Sequence, residues 1–298
     1  MSTESWQFVL IRWLTFLALS TSLGVLTVYF YLRPRQALGT DFADVRKLAR
    51  WGEISAVALI ALAGARLWAQ FQTLGGAEMG PFTEVMRPML FETPWGLGLM
   101  AQVVLAIVAS FAFGAPARQG AWWLAAAAVF LVSATPALSG HAVAELRPFI
   151  GVTMDTLHVL GGGVWLGTLS VLVALAIPIL GNADARKALQ EILVIFSKVA
   201  LTAAAVVTLT GVYAAWVHVG SWNALWATRY GDELVLKLCG VAVAVLLGGV
   251  NWRVAVPRLT LGRVPAFAAT GSAEVFTAIL IYLLTAVLVG RPLPIEGA

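Results

Sequence analysis

The sequence predicts an all-α, polytopic membrane protein, a bundle of about eight transmembrane helices. Three observations lead to this fold class. The chain has 298 residues, of which 60% are hydrophobic and 11% charged, whereas roughly a quarter of the residues of a soluble domain are charged. Its mean hydropathy is +0.88. Several apolar runs also approach the ~20 residues that a helix needs to cross the hydrocarbon layer.

The apolar windows divide the chain into eight expected spans, with prolines near many of their ends, as is usual for residues that terminate helices. We treat 1–298 as a single integral membrane domain. The spans are expected at about 6–32, 51–71, 95–115, 121–138, 154–180, 196–218, 231–250 and 267–289.

The basic residues predict the orientation of these spans. Lys and Arg concentrate in the connections that follow the first, third, fifth and seventh spans, and the opposite connections are mostly acidic. Cytoplasmic loops carry an excess of Lys and Arg. The N- and C-termini are therefore expected outside, which in a bacterial inner membrane is the periplasm.

Several classes of function find no support in the sequence. There is one cysteine, so no disulfide framework can form within the chain. We find no glycine-rich phosphate loop, dinucleotide fingerprint or aspartyl-phosphate motif, and no Ser–His–Asp arrangement. The basic pI reflects the cytoplasmic loops and does not indicate a nucleic-acid surface. We expect neither an enzyme nor a nucleotide or nucleic-acid partner.

The candidate functional residues lie near the periplasmic ends of the spans. Met154, Asp155 and His158 are spaced so that they project from nearly one face of a helix start. His141 and His218 fall at the ends of the neighbouring spans. Imidazole suits copper and other transition metals, and thioether selects copper(I). The five side chains predict a metal site, with an ordinary hydrogen-bonded interfacial histidine as the alternative for each one taken alone.

A second group of soft ligands lies in the long connection over residues 71–94. Met79, Met86 and Met89 accompany acidic residues there, and the last two share a face if Phe82–Phe91 forms an interfacial helix. The functional interpretation is a capture loop for copper(I) or a docking surface for a metal carrier. The alternative, which we favour, is that these methionines pack against lipid.

Three further residues lie within the membrane. Lys237 and Glu274 are costly there, and intramembrane charges are functional hypotheses by default; they form either structural ion pairs or a transport path. Cys239 is expected to be a small buried side chain, and as a soft ligand it is a candidate next position for copper(I).

Short motifs in the chain resemble those of the copper resistance protein D (CopD) family of bacterial inner-membrane proteins, over about residues 138–289, and Thr93-Pro94-Trp95-Gly96 is similar to a further family element. An acidic pair, Asp232-Glu233, departs from the family pattern. The motifs are Gly140-His141-Ala142, Asp155-x-x-His158, Val164-Trp165-Leu166-Gly167, Phe196-Ser197-Lys198, Thr210-Gly211-Val212, Thr228-x-Tyr230-Gly231 leading to Lys237, and Asn251.

The resemblance implies an eight-span protein of copper homeostasis and resistance that handles periplasmic copper and is commonly proposed to move it inward. It also implies a separate periplasmic copper-binding partner of the CopC type. The oxidation state of the copper ion stays open. Two alternatives also stay open: a b-type haem protein with His158 and His218 as axial ligands, and a periplasmic copper receptor that does not transport.

Overall fold

The computed structural model describes residues 5–35, 44–139, 147–176, 182–259, 261 and 264–294. Among these residues there are helices and no strands, which confirms the all-α polytopic class. The helices are α1 (Trp6–Thr27, extended by a π-helical turn, Val28–Leu32), α2 (Val45–Thr73), α3 (Phe82–Glu92), α4 (Pro94–Phe113), α5 (Gln119–Val132), α6 (Pro148–Ala176), α7 (Ala183–Val219), α8 (Trp222–Ala227), α9 (Arg229–Val250, extended by a π-helical turn, Asn251–Ala255), α10 (Val256–Arg258) and α11 (Val264–Leu288).

Seven helices of the described chain are long and apolar enough to cross a membrane. They correspond to all of the expected spans except the fourth. That region forms the shorter α5, which ends at Val132 and is followed by turns and a 3-10 turn over Ala137–Ser139. Hydropathy averaged over a window did not reveal this end, because Ala134, Ala137 and Leu138 offset the polar Ser133 and Thr135.

The helices pack in a continuous series in which α1 contacts α2, α6 and α11, and α6 also contacts α7. The closest crossing joins α1 to α6 at Gly24 and Gly167. A Cβ atom on either glycine would collide with the backbone of the other helix. Small residues allow helix backbones to approach in a membrane, where close packing replaces the hydrophobic effect as the driving force. This crossing joins the first part of the fold (α1–α5) to the second (α6–α11).

The two parts share one arrangement of a helix start. α4 and α9 each follow a short helix, and each is capped by a threonine, Thr93 or Thr228, whose Oγ1 accepts a hydrogen bond of 3.1 Å from the N–H of the glycine three residues later. Each threonine hydroxyl also donates to a carbonyl of the preceding short helix. The glycines, Gly96 and Gly231, lie so close to that helix that a Cβ would collide with its backbone.

Helix α9 packs against α11 through a row of small residues and also contacts α8, and most of its remaining surface is exposed. Gly240, Ala244 and Gly248 recur every four residues, so they fall along one face. Cβ atoms on the two glycines would lie 3.0 Å from Ile281 and 3.3 Å from Glu274 of α11. These pairs run in opposite directions along the two helices, which are therefore antiparallel. Both glycines, like Ala244, belong to the face that α9 turns to α11.

Candidate functional site

His158 is held on α6 by a residue of the neighbouring helix α7. Its Nδ1 lies 2.9 Å from Oγ1 of Thr210. The Thr210 hydroxyl donates to the Val206 carbonyl at 2.7 Å, so its oxygen accepts a proton from the imidazole. This network assigns the proton of the neutral ring to Nδ1 and leaves the lone pair on Nε2. Metal-binding histidines use the same division, in which one nitrogen is fixed by a hydrogen bond and the other binds the metal.

Lys237 of α9 interacts electrostatically with two residues of α6, Asp155 and His158. The Asp155 carboxylate attracts the Lys237 ammonium and balances its charge. We call Asp155, His158, Thr210 and Lys237 the His158 cluster. Met154 precedes this cluster by one residue on α6 and is half-buried. The sequence placed Asp155 and His158 together, and the structure adds a hydroxyl and a cation.

His218 has a different environment from His158. It lies at the end of α7, where its Nδ1 is 3.4 Å from the Tyr230 hydroxyl. Eight residues of helix separate His218 from Thr210, a rise of about 12 Å. The third histidine, His141, lies outside the described residues. Within the part of the chain that the structure describes, no three His, Cys, Asp or Glu side chains meet as a metal site.

The three methionines of the candidate capture loop have unequal exposure. The expected interfacial helix is present as α3, and Met86 lies on its packed face with 1% of its surface exposed, whereas Met79 is 67% exposed. Met89 is half-buried. Met86 therefore packs against protein, which is a different environment from the lipid contact that the sequence suggested.

Glu274 of α11 lies in a second polar cluster and is buried, with 5% of its surface exposed. Asn251 donates a hydrogen bond of 2.6 Å from Nδ2 to the Glu274 Oε2, and Trp165 of α6 donates another. Thr270 in turn donates to the Asn251 Oδ1. We call these four residues the Glu274 cluster. Lys237 and Glu274 are thus not partners of each other, because Lys237 interacts electrostatically with Asp155 and Glu274 is hydrogen-bonded to Asn251.

Two sequence interpretations change with these contacts. Cys239, expected to be buried, is exposed, because it lies on the open side of α9. The acidic pair that departs from the family pattern has a structural use: Glu233 accepts two-pronged hydrogen bonds from the Arg291 guanidinium, the shortest of 2.5 Å. This ion pair fastens the segment after α11 to the start of α9.

Sequence reasoning missed the partners that define both clusters. Thr210, Trp165 and Asn251 belonged to the family-like motifs but had no assigned role, and Thr270 carried no signal. Their positions in those motifs were the only available indication. Their contacts join α7, α9 and α11 to α6 or to one another, so spacing along one helix could not show them.

The fold and the His158 cluster define a class of protein: a multi-pass membrane protein whose helices hold imidazole and carboxylate groups, with a thioether beside them. Imidazole nitrogen and thioether sulfur are ligands that copper accepts in proteins. The cluster offers the Nε2 of His158, and Asp155 and Met154 lie three and four residues before it on the same helix. The Glu274 cluster offers oxygen ligands only.

The chain belongs to the copper resistance protein D family. The family model "Copper resistance protein D" matches residues 190–288, and the model "Copper resistance protein D-like, N-terminal domain" matches residues 1–146. The two matches fall on the first part of the fold and on the later helices of the second part, from within α7 to α11, and the resemblance expected from the sequence is confirmed. The protein is therefore a multi-pass membrane protein of a copper-related family.

The chain is also similar to the copper transport protein CutJ of Bacillus subtilis (strain 168), with 25% identity over 293 residues. That alignment covers 96% of this chain and 53% of the relative, so the chain spans about half the length of the curated relative it matches. No solved structure matches the chain.

Proposed function

We propose that this protein binds copper ions at the periplasmic face of a bacterial inner membrane and transports them towards the cytoplasm. The residues proposed to receive copper are His141, His158, His218, Met154 and Asp155. His218 lies about 12 Å along α7 from Thr210, so it binds copper at a different step from His158. Copper is the transported substrate in this proposal. The similar CutJ protein is named a copper transport protein, which supports the proposal that copper is the transported ion.

The single observation that carries the proposal is the orientation of His158. Thr210 accepts the Nδ1 proton at 2.9 Å, so that Nε2 carries the lone pair that a copper ion requires. Met154 lies one helical turn before His158 on the same helix, within the i, i+4 spacing at which side chains meet. A nitrogen and a sulfur donor from one turn form a half-site for copper(I).

The remaining features of the proposal concern sidedness and partners. The excess of Lys and Arg in alternate connections supports termini on the periplasmic side, which requires α5 and the turns that follow it to supply an eighth crossing besides the seven long helices. The exposed Met79 is then the methionine best placed to take copper from a separate periplasmic CopC-type carrier. Met86, which is buried, contributes to the fold of the loop.

Copper(I) binding to the purified chain in lipid nanodiscs tests the proposal, measured by competition with a coloured copper(I) chelator. Thr210→Val removes the acceptor that orients His158 and nearly keeps the side-chain volume. We expect its affinity for copper(I) to fall about 10- to 100-fold, the usual effect of removing an orienting partner. His158→Ala should lower the affinity further.

Thr202→Val is the matched control. Thr202 is exposed on the same helix, and its hydroxyl donates a hydrogen bond to the Lys198 carbonyl one turn earlier in that helix. It should bind copper as the unmodified chain does. Copper uptake into cells carrying each variant should follow the same order. If His158→Ala binds and takes up copper at the unmodified level, the proposal is wrong; a haem absorption band in the purified protein would point instead to the b-type haem alternative.

A further inference from the structure

The Glu274 carboxyl group is buried without a cation. Its interactions among the described residues are hydrogen bonds from Asn251 and Trp165, and no ion pair is present there. A carboxylate in an apolar interior is strongly disfavoured unless it is paired, bound to a cation, or protonated. The Glu274 carboxyl group must therefore either bind a cation or be protonated.

The atoms around Glu274 do not suit a metal ion. Asn251 and Trp165 both turn N–H donors towards the carboxyl group, and the indole of tryptophan can only donate. The Asn251 carbonyl oxygen accepts from Thr270. Copper(I) would also need soft sulfur or imidazole ligands, and none lies in this cluster. The proton is the cation that remains.

The same neighbours make the ionised form attainable. Two hydrogen bonds to a carboxylate stabilise its charge, and such charge-assisted bonds are stronger than neutral ones. Burial without a cation opposes this and favours the neutral acid. The hydrogen bonds and the burial thus act in opposite directions on the two forms, and a proton can exchange at a site where both forms are accessible.

The backbone around the cluster is shaped to hold a carboxyl group. A Cβ atom on Gly248 would lie 3.3 Å from the Glu274 Oε1, so glycine leaves room for the oxygen. Asn251 begins a π-helical turn, Asn251–Ala255. Single π-helical turns within α-helices occur frequently at functional sites. The room that Gly248 leaves for the carboxyl oxygen and the π-helical turn at Asn251 are two features separate from the hydrogen bonds to Glu274.

We infer that Glu274 is an exchangeable proton-binding site within the membrane, in which Asn251 and Trp165 stabilise the ionised form. The site lies towards the C-terminal ends of α6 and α9, whereas the His158 cluster lies towards their N-terminal ends. On α6, Trp165 follows His158 by seven residues, a rise of about 10 Å on the same helix face. This inference goes beyond the copper-transport proposal and does not rest on it, because proton binding can be measured without copper.

No charged group of the described residues competes for this proton. From α9, Gly248 and Asn251 face the carboxyl group, and from α6 Trp165 does. The charged and titratable groups of the packed helices have partners elsewhere. These are Lys237 with Asp155, Arg253 with Trp252, Arg12 with the Ala286 carbonyl, and Tyr282 with Ser20.

Infrared difference spectroscopy of the full chain in lipid nanodiscs, without copper, tests the inference. On going from mildly alkaline to mildly acidic pH, the spectrum should gain the C=O stretching band of a carboxylic acid in an apolar environment. Glu274→Gln should lack this band. Glu53→Gln is the matched control, because Glu53 is exposed on α2, and it should retain the band.

Variants of the two donors test the mechanism and do not remove the acid. Trp165→Phe and Asn251→Leu each remove one hydrogen bond to the ionised form, so the pH midpoint of the band should rise by about one to two units. Unchanged midpoints in both variants would overturn the assigned roles of these donors.

A measurement on the unmodified chain covers the case in which Glu274→Gln fails to fold. A hydrophobic carbodiimide reacts with protonated carboxyl groups in apolar surroundings, and peptide mapping locates the adduct. We expect the adduct on Glu274, with a yield that decreases as pH rises. Absence of the infrared band, its persistence in Glu274→Gln, or failure of the carbodiimide to label Glu274 at any pH would overturn the inference.

Discussion

The two parts of the fold begin a helix in the same way and then place different chemistry on it. Six residues after the glycine whose N–H bonds the threonine cap, α4 carries Gln102 and α9 carries Lys237. Gln102 is buried and donates 3.0 Å to the Leu59 carbonyl of α2. Lys237 instead brings a positive charge, which the Asp155 carboxylate of α6 attracts.

The surroundings of the two helices differ accordingly. In the most apolar stretch of each, 44% of the residues are buried for α4 and 6% for α9. Helix α4 is packed between α2 and α5, whereas α9 has one long helical neighbour, α11. The packed surroundings of α4 accommodate a neutral side chain whose hydrogen bond is satisfied, whereas the second part holds charged side chains in polar clusters. The first part of the fold thus serves as a scaffold, and the second contains both polar clusters.

The contact that joins the two parts should be the most sensitive to substitution. Gly167→Val places side-chain atoms where the α1 backbone lies, so α1 and α6 must separate. We expect a loss of more than ~3 kcal/mol, at or above the upper end of the usual range for overpacking. Thermal unfolding in detergent and the yield of folded protein measure it.

Gly64→Val is the control for that substitution, because a Cβ at Gly64 meets no other atom within 4 Å. It should unfold near the temperature of the unmodified chain. Equal unfolding temperatures for both variants would show that the crossing of α1 and α6 does not hold the two parts together.

Exchanging the chemistry of α4 for that of α9 should damage the scaffold. Gln102→Lys puts a charge in a packed position whose hydrogen-bond partner is a carbonyl, with no acid to balance it. Inserting such a charge within a membrane helix costs about 3 kcal/mol. Thermal unfolding should report that loss, and Gln102→Leu, which adds no charge, should lose less. A Gln102→Lys variant as stable as the unmodified chain would remove the distinction between the two parts.

The reverse exchange should affect copper more than stability. Lys237→Gln removes a positive charge close to His158 and Asp155, so a copper ion no longer meets its repulsion. We expect copper(I) affinity to rise several-fold, up to about tenfold, as for a charge interaction of ~1 kcal/mol. The chelator competition measures this, and weaker binding would instead make Lys237 a necessary part of the site.

The smallest effect concerns the shared helix start. Thr93→Ala and Thr228→Ala each remove one capping hydrogen bond, and each should lower stability by about 1 kcal/mol. Only Thr228→Ala should also change copper affinity, since it loosens the start of the helix that carries Lys237. Thermal unfolding and chelator competition on the same samples separate the two effects; equal changes in copper affinity would contradict the division of roles.

The sequence by itself determined the membrane class, most of the spans and one element of the site. Hydropathy is a property of consecutive residues, so long apolar helices can be read directly from it. Asp155 and His158 could be paired because their spacing on one helix fixes their relative direction.

Only the tertiary structure decided which helix faces meet, and that decided the rest. Met86 is buried and Cys239 exposed because α3 and α9 turn those faces towards and away from their neighbours. Thr210 reaches His158 from α7, and Trp165 and Asn251 reach Glu274 from two further helices. These contacts depend on how separate helices pack, which the period of a single helix cannot specify.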